Sequence, residues 1–408
     1  MAVLYQEAAG LDVHKDTVVA CARLARGQKV VRQVETFGTT TRELLRLSEW
    51  LRGHGVTHVA MEATGVYWKP VWHVLEGQFT LLLADAREVK NVPGRKTDVN
   101  DATWLADLLA HGLIRGSFVP PRPIQELRDL TRTRTQLMRE RSQHIQRLQK
   151  VLEDTNVKLA NVVSDILGVS GRAFLEAIIG GESDPKRLAG LGDPRLKASK
   201  KELAEALEGR VRDHHRFLLR LHLSQIGALD ASVELIESRI EEHLAPFADL
   251  VCRLKTISGM GEAVIPVVIA EIGTDMSVFP TAAHLVSWTG LSPRQDVSNG
   301  KRRSTRTKKG KWAKTALVQA AWAGVRTKEQ TYLTAQFNRI RSRRGAKKAI
   351  VAVAASMVTA AYYIIRNGTE YRDLGADYFH RRDQKAHALR LVQRLQNMGY
   401  VVNLQTAA

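Results

Sequence analysis

Residues 8–24 read AAGLDVHKDTVVACARL and carry the strongest indication of fold in the first part of the chain. Apolar and β-branched residues flank a polar centre, which predicts two short strands, Ala8–Val13 and Thr17–Leu24, joined by a turn. A third valine-rich run follows at Lys29–Phe37. Together the three segments predict an antiparallel meander, in which Asp12 is an acidic residue in an otherwise apolar strand.

The sequence beyond the meander alternates between helical and strand patterns. The predicted elements are the helix Thr41–Arg52, the strand Val56–Met61, the helix Val66–Leu75, the strand Thr80–Ala84 and the helix Thr97–Ala110. Three strands followed by helix, strand, helix, strand and helix is the order of the ribonuclease-H-like fold, in which the first and fourth strands are neighbours. Actin-like sugar kinases and ATPases share this topology, but they need a glycine-rich phosphate turn after the first strand. Residues 13–17 contain no glycine, which argues against a nucleotide site.

Three prolines, Pro120, Pro121 and Pro123, mark the end of this first domain. Helical periodicity over Gln125–Leu152, and again from about residue 200 to residue 250, predicts two long helices around a glycine-rich insert. These helices favour an antiparallel helical arm or coiled coil that serves as a dimer element. A helical bundle packed within one monomer is the alternative.

A third domain begins near Arg253. Its opening, Ile257-Ser-Gly-Met-Gly261, precedes the apolar helix Ala263–Ile272 and resembles a helix-hairpin-helix turn, in which Gly259 and Gly261 let backbone amides approach a phosphate. Further helices complete a mainly α-helical domain, and the C-terminal residues are predicted to be helical without an assigned function. We therefore expect domains at 1–119, 120–252, 253–370 and 371–408.

The chain has 61 Lys and Arg against 42 Asp and Glu, a formal charge of +19, and this excess is concentrated in one stretch. Residues 287–348 hold 17 basic residues and 2 acids, whereas residues 1–118 hold 14 and 13. Three tryptophans in the basic stretch indicate a packed domain rather than a tail. Such a surface binds polyphosphates with release of counterions, so we expect nucleic acid as the partner, with a solvated basic face as the alternative. The expected contacts are Gly259, Gly261, Arg294, Lys301, Arg302, Arg303, Arg306, Lys308, Lys309 and Lys311.

Other features exclude several classes of protein. No run of about 18 uncharged apolar residues occurs, which predicts no membrane-spanning helix. The N-terminal sequence MAVLYQEAAG has no basic start before an apolar stretch, so it is not typical of a secretory signal. The two cysteines, Cys21 and Cys252, lie far apart in the sequence, which excludes a disulfide framework and a thiolate zinc site and fits a reducing cytoplasm.

Four acids of the first domain are candidates for a metal site. Asp12 lies in the first predicted strand, Glu62 lies at the end of the fourth, and Asp98 and Asp101 share one face at the start of a helix. In a ribonuclease-H-like sheet these positions converge, and a cluster of carboxylates is stable only with cations. With two Mg²⁺ ions the cluster becomes a clamp for in-line phosphoryl transfer. Taken singly, Asp98 is also a candidate helix N-cap and Asp101 a favourable first-turn acid.

Ser298, which follows a predicted turn, is a candidate nucleophile. Lys301, Arg302 and Arg303 lie beside it in the sequence, and their charges stabilise phosphoryl oxygens. A serine needs a base or a metal ion for activation, and the basic domain has no obvious carboxylate base of its own. Taken alone, a serine next to Asn-Gly is more often a turn former, and Ser292 and Ser304 are equal candidates.

Several motifs, in this order and spacing, make the chain resemble the insertion-sequence one-ten family of transposases, to which pilin-gene invertases are related. The segments similar to the family's DEDD quartet are Gly10-Leu-Asp-Val-His-Lys15, Glu62-Ala-Thr-Gly65 and Lys96-Thr-Asp-Val-Asn-Asp101. The segments similar to its second domain are Ile257-Ser-Gly-Met-Gly261, Gly290-Leu-Ser-Pro-Arg294, Ser298-Asn-Gly-Lys301 and Thr307-Lys-Lys-Gly310.

The resemblance implies a RuvC-like domain, a coiled-coil linker and a serine-bearing transposase domain. It implies a DNA recombinase that excises and inserts its element through a circular intermediate, guided by a structured bridge RNA that pairs with donor and target DNA. Asp12, Glu62, Asp98 and Asp101 match the Mg²⁺-binding acids, and Ser298 best matches the nucleophile that becomes covalently joined to DNA. Ser304 stays an alternative, because this chain has Ser-Asn-Gly where the family has Ser-Gly or Ser-Ala-Gly.

The resemblance also implies a homo-oligomer, a dimer or a tetramer, in which acids from one chain meet the serine of another. It implies a bacterial protein of the cytoplasm that is associated with the nucleoid. The alternative function is a RuvC-like nuclease that cuts branched DNA with metal-activated water, in which Ser298 is structural. A non-enzymatic nucleic-acid-binding protein, in which the four acids are idle, is the third hypothesis.

Overall fold

The computed structural model describes residues 3–27, 29–63, 65–84, 89, 101–114, 116–293, 296–299, 301–304, 306–307 and 312–402, with the backbone alone at 296–298, 301–304, 380, 383–387 and 390. The chain divides into two compact units, Met1–Pro120 and Pro121–Ala408. The four domains expected from the sequence are a finer division and stay a prediction.

A mixed sheet forms the centre of the first unit. β1 (Glu7–Val13), β2 (Thr17–Arg26) and β3 (Lys29–Gly38) make an antiparallel meander, and β4 (His58–Glu62) and β5 (Thr80–Ala84) continue the sheet in parallel from β1. The strand order in the described part of this unit is β3-β2-β1-β4-β5. The five predicted strands and the predicted neighbouring of the first and fourth are therefore confirmed.

Helices cover both faces of this sheet. α1 (Thr41–Gly53) and α2 (Trp68–Leu75) cover one face, where Leu11 belongs to the same buried core as residues of both helices. α3 (Asp101–Ala110) covers the other face, where Ala8 packs against the end of the helix. Because side chains alternate along a strand, Asp12 points to the face that α3 covers.

A pair of long helices opens the second unit. α4 (Arg122–Asp154) packs against α9 (Asp213–Leu244). The two helices run antiparallel, because Arg134 Nε donates to Glu237 Oε1 at 2.7 Å and, further along α4, His144 lies 3.3 Å from His222 between the Nδ1 atoms. They form a helical hairpin, and its description as a coiled coil stays a prediction.

An insert of short helices lies between the two long ones. It shares a core with them, in which Phe174 and Leu175 of the insert pack with Leu148 of α4 and Leu219 of α9. The helices of the insert are α5 (Leu159–Val162), α6 (Val169–Gly180), α7 (Pro185–Gly190) and α8 (Lys200–Leu207).

The helical periodicity expected over residues 200–250 is interrupted in the structure. α8 ends at Leu207, and Glu208 is extended. A Cβ at Gly209 would lie 2.6 Å from the carbonyl oxygen of Thr155, so only glycine fits there. The Arg210 amide donates to this oxygen at 2.9 Å and not to Ala206, which ends the helical hydrogen-bond pattern.

The remainder of the second unit is mainly helical around a central apolar helix. The elements are α10 (Ala248–Lys255), α11 (Ile265–Ile272), α12 (Ala282–Trp288), β6 (Asp296–Ser298), β7 (Lys301–Ser304), α13 (Trp312–Val325), α14 (Tyr332–Arg344), α15 (Ala346–Asn367) and α16 (Tyr378–Asn397). The sequence did not predict the hairpin of β6 and β7 or the helix α14. The two strands are short, and both elements are rich in basic residues.

α15 is the one helix in the described part of the chain that is long and apolar enough to cross a membrane. Residues 349–365 carry no charge, a run just below the length applied in the sequence analysis. Half of the helix's most apolar window is buried inside the unit, as expected for a core helix of a globular domain. The helix is therefore weak evidence for a membrane span.

Candidate active site

Two acids lie at the carboxyl ends of neighbouring parallel strands. β1 pairs with β4 with Leu11 opposite Met61, so Asp12 and Glu62 take the next position on the two strands. Matching positions of parallel strands point to the same face, and such strands are about 4.8 Å apart. Asp12 and Glu62 therefore lie side by side, and both are partly buried.

α3 brings a third acid toward the same point. Ala8 packs against Ala110 at the end of α3, whereas Gly10, further along β1, lies under Ala102. α3 thus runs antiparallel to β1 over the face that carries the two acids. Its first residue, Asp101, consequently lies toward the carboxyl end of β1.

A cavity of about 460 Å³ opens at the turn between β1 and β2, and its described lining does not include the three acids. It is lined by the turn between β1 and β2, including His14 and Lys15, and by Tyr67 from the segment after β4. His14 also contacts Asp12, with 3.1 Å between Nε2 and Oδ2. His14 therefore connects the residues around this cavity to Asp12.

The residue types of this group fit a hard divalent cation. Asp12, Glu62 and Asp101 offer carboxylate oxygens alone, which are the ligands that Mg²⁺ prefers. Among the residues that the structure describes, no group of three or more His, Cys, Asp or Glu side chains is arranged to hold a metal ion. Asp98 lies outside the described residues, so the full quartet stays a prediction.

The ion pairs that hold α3 on the sheet were missed by the sequence analysis. Asp107 of α3 accepts a hydrogen bond from Arg23 Nε at 2.9 Å and another from Arg32 Nη2 at 3.0 Å. Arg23 is only 3% exposed. A charge inside an apolar strand is the signal that singled out Asp12, and it applied equally to Arg23.

A buried cysteine lies on the same face as these ion pairs. Cys21 packs against Ala102 and Ala106 of α3, and burial raises the pKa of its thiol above the ordinary value. A thiol with a raised pKa stays protonated and is a poor nucleophile. Cys21 is therefore a packing residue of this site.

Ser298 is the last residue of a strand, whereas the sequence analysis placed it in a loop after a turn. β6 pairs with β7, with Ser298 opposite Lys301 and Asp296 opposite Ser304. Asn299 has a φ of 51°, the left-handed conformation that a two-residue Asn-Gly hairpin turn requires. Ser298 therefore borders the tip of a hairpin, and Ser304 lies at its base.

The described basic candidates lie on or beside this hairpin. Lys301, Arg302 and Arg303 belong to β7, and Arg306 is exposed just beyond it. The candidates outside the described residues are Arg294, Lys308, Lys309 and Lys311.

Trp312 attaches the segment after the hairpin to the long helix α4. The guanidinium groups of Arg132 and Arg139 lie 5.7 and 5.0 Å from the centre of its ring. These distances are within the range of cation–π contacts. From the sequence, this tryptophan indicated a packed domain but not its contact with α4.

The glycine turn between α10 and α11 has a packing role that its sequence did not show. Gly259 has a φ of 88°, and a Cβ there would lie 2.3 Å from the carbonyl oxygen of Ala320 in α13. Glycine is thus required at 259 for contact with a helix. Gly261 faces open space, and a phosphate contact at this turn stays a prediction.

Two models of known families match the chain. Residues 9–157 match a model described as a transposase of the DEDD type of IS110, and residues 252–336 match a model described as "Transposase IS116/IS110/IS902 family". DEDD transposase domains have a RuvC-like fold, in agreement with the mixed sheet, and are typically metal-dependent. No curated protein matches the chain. Residues 158–251 and 337–408 lie outside both matched ranges.

Proposed function

Because the chain belongs to the IS110 family of transposases and is an enzyme that acts on DNA, we propose that it is an RNA-guided, Mg²⁺-dependent serine recombinase. It excises and inserts its element by cutting and rejoining DNA. The acids that hold the metal are Asp12, Glu62, Asp98 and Asp101, and the nucleophile is Ser298. The observation that supports the proposal most is the register of β1 and β4, in which Asp12 and Glu62 come side by side at the carboxyl ends of the two strands.

The proposed reaction is a transesterification. The Ser298 hydroxyl oxygen attacks a DNA phosphorus, a serine–phosphate bond forms, and the bond from that phosphorus to one sugar oxygen breaks. The sugar oxygen leaves as a hydroxyl and takes up a proton, and the serine hydroxyl gives one up. A DNA hydroxyl later attacks the phosphoserine, which rejoins DNA and restores the serine.

The acids and the basic residues have different roles in this reaction. Mg²⁺ held by the acids, proposed as two ions, supplies positive charge to the attacking and leaving oxygens. Lys301, Arg302 and Arg303 hold backbone phosphates and keep the scissile bond beside the serine. The hairpin keeps Ser298 next to a turn, where a DNA strand has access.

A structured bridge RNA and a second copy of the chain complete the proposal. The concentration of 17 basic residues in residues 287–348 supports binding of donor DNA, target DNA and RNA. That stretch contains only Asp296 and Glu329 as acids, so activation of Ser298 calls for acids from elsewhere. We propose that the acids of one chain serve the serine of another, in a dimer or tetramer joined through α4 and α9, in the cytoplasm on the nucleoid.

Trapping of a covalent protein–DNA adduct tests the serine mechanism. Purified protein, its flanking RNA, cognate DNA and Mg²⁺ are expected to give protein joined to a DNA end, seen as a mass shift under denaturing conditions. Ser298→Ala is expected to lower the adduct by roughly a thousandfold or more, because the attacking oxygen is removed. Ser304→Ala is the matched control and is expected to form the adduct. DNA cleavage by Ser298→Ala at the normal rate would instead favour the nuclease that uses water.

Removing the charge of one proposed metal-binding carboxylate tests whether the acids at the carboxyl ends of β1 and β4 are needed for recombination. Asp12→Asn is expected to lower recombination by roughly 100- to 1,000-fold. The amide binds Mg²⁺ more weakly than the carboxylate, and the charge of that ion stabilises the reacting phosphate. RNA binding, measured by gel shift, is expected to be unchanged. The control is Glu49→Gln, the same loss of charge at an exposed position of α1, which covers the opposite face of the sheet, and we expect it to retain activity. Equal activity of Asp12→Asn and the unmodified chain would mean that the acids are idle.

A further inference from the structure

α9 carries an exposed apolar stripe on the face turned away from α4. Its large members, Phe217, Leu221 and Leu235, are 61%, 43% and 74% exposed. The other members of this outer stripe are also exposed and are Ser224, Ala228, Ala231 and Ser238. Successive members are four and three residues apart in alternation, so they form one line about 30 Å long. A solvated helix normally carries charged residues on such a face.

The inner face of the same helix has the same periodicity. Leu219, Ile226, Val233 and Ile240, each seven residues after the last, are buried. The outer stripe therefore repeats, on the opposite side, the spacing that α9 uses to pack against another helix. Its central members are serine and alanine, which let a second helix approach closely.

The charges of α9 determine which occupant suits this face. Residues 212–221 carry three arginines and one aspartate, a net +2, whereas residues 230–244 carry five acids and one arginine, a net −4. Arg220, Glu234 and Glu241 are among the exposed residues of these two segments, and Arg220 Nη2 also donates to the carbonyl oxygen of Ile179 at 3.3 Å. The acidic half disfavours a nucleic acid. Two parallel copies of α9 would bring their acidic halves together, whereas two antiparallel copies bring each acidic half against a basic one.

We propose that the outer stripe binds the outer stripe of a second copy of this chain, antiparallel, with the two-fold axis at Ala228. In this register Leu221 of one copy lies opposite Leu235 of the other, and Arg220 lies near Glu234 of the other. The inference rests on the proposed function for the expectation of an oligomer, and it adds the surface and the orientation through which two copies meet. This surface lies outside both ranges matched by the family models.

The oligomeric state of the full chain in solution tests whether the outer stripe is an interface between two copies. Nucleic-acid-free protein, measured by size-exclusion chromatography with light scattering over a concentration series, is expected at twice the 45.5 kDa chain mass or a multiple of it. Leu235→Glu is expected to weaken self-association by roughly tenfold or more. Leu389→Glu on α16, where the leucine is 63% exposed, is the matched control and is expected to have no effect. A monomer at every concentration, or an assembly that Leu235→Glu leaves intact, overturns the proposal.

Charge reversal tests the antiparallel orientation. Arg220→Glu is expected to weaken the dimer, and Arg220→Glu combined with Glu234→Arg is expected to restore it. A defect in folding is not rescued by a second charge reversal, so restoration separates the interface from misfolding. A combined variant no better than Arg220→Glu alone overturns the antiparallel register.

Disulfide trapping locates the two-fold axis. In a Cys252→Ser background, which removes the exposed native cysteine and leaves only the buried Cys21, Ala228→Cys is expected to form a symmetric intermolecular disulfide under mild oxidation. Gln225→Cys, exposed but off the stripe, is expected to remain unlinked. Equal linking of both variants would refute the axis. Self-association and disulfide formation are measured without recombination. A negative result of the Ser298 experiment would therefore leave the results of these tests unchanged.

Discussion

Gly10→Ala is expected to unfold the first unit at a markedly lower temperature and to abolish recombination. A Cβ at this position would lie 2.1 Å from the carbonyl oxygen of Ala102 and 2.5 Å from the amide nitrogen of Ala106, both backbone atoms of α3. Neither atom can move without the helix, so α3 must shift away from β1. We expect a cost of about 3 kcal/mol in the free energy of unfolding. The shift also carries Asp101 away from Asp12.

Circular dichroism melting and a recombination assay check this prediction. The first transition is expected to fall by roughly 10 °C. Gly53→Ala is the matched control: it lies in the same unit at the end of α1, and a Cβ there meets nothing within 4 Å. That variant is expected to melt at or slightly above the normal temperature, because alanine favours a helix more than glycine. Normal melting of Gly10→Ala would show that α3 does not pack closely on β1.

Arg132→Met is expected to destabilise the second unit by about 2–3 kcal/mol. Arg132 donates two hydrogen bonds to Glu271, Nε to Oε1 at 2.7 Å and Nη2 to Oε2 at 3.0 Å. The Glu271 side chain is only 6% exposed, so removal of the arginine leaves a buried carboxylate without the guanidinium that hydrogen-bonds to it, and the charge of Arg128 compensates this loss only in part. Methionine keeps the aliphatic part of the side chain, and the loss is therefore mainly electrostatic.

Chemical denaturation of a set of variants measures this cost. Arg139→Met is the matched control on the same helix: it loses a cation–π contact with Trp312 but no buried ion pair, so about 1 kcal/mol or less is expected. Arg132→Met combined with Glu271→Gln is expected to be more stable than Arg132→Met alone, because the buried side chain that lost its two hydrogen bonds is then uncharged. A double variant that is less stable than Arg132→Met would mean that the carboxylate has another role.

Much of the first unit follows from local sequence patterns. The meander of residues 8–37 was predicted almost to its bounds, because a run of apolar and β-branched residues between turns is a property of each strand by itself. One failure involves contacts between distant segments. Asp107 meets Arg23 and Arg32 only because α3 folds back over β2. The hairpin of β6 and β7 is a local failure: its Asn-Gly turn, with the left-handed Asn299, is visible in the sequence, but no strands were predicted beside it.

The candidate site divides in the same way. The amino-acid sequence identified Asp12, Glu62 and Asp101, because acids next to apolar strands and at a helix start stand out one at a time. The order of elements predicted that the strands of Asp12 and Glu62 are adjacent. Tertiary structure decided the register that places the two acids side by side, since that register depends on which side chains the two strands bury together.

α9 shows most clearly what amino-acid order determines by itself and what it leaves to packing. Its sequence determines two apolar lines on opposite faces, because the periods of both lines are present in residues 213–244. Only the folded unit decides that α4 covers the line of Leu219 and Ile226 and that the line of Leu221 and Leu235 stays in contact with water. The physical reason is that the hydrophobic effect is non-directional and favours burial of either face equally. The position of α4 therefore determines which face of α9 is buried.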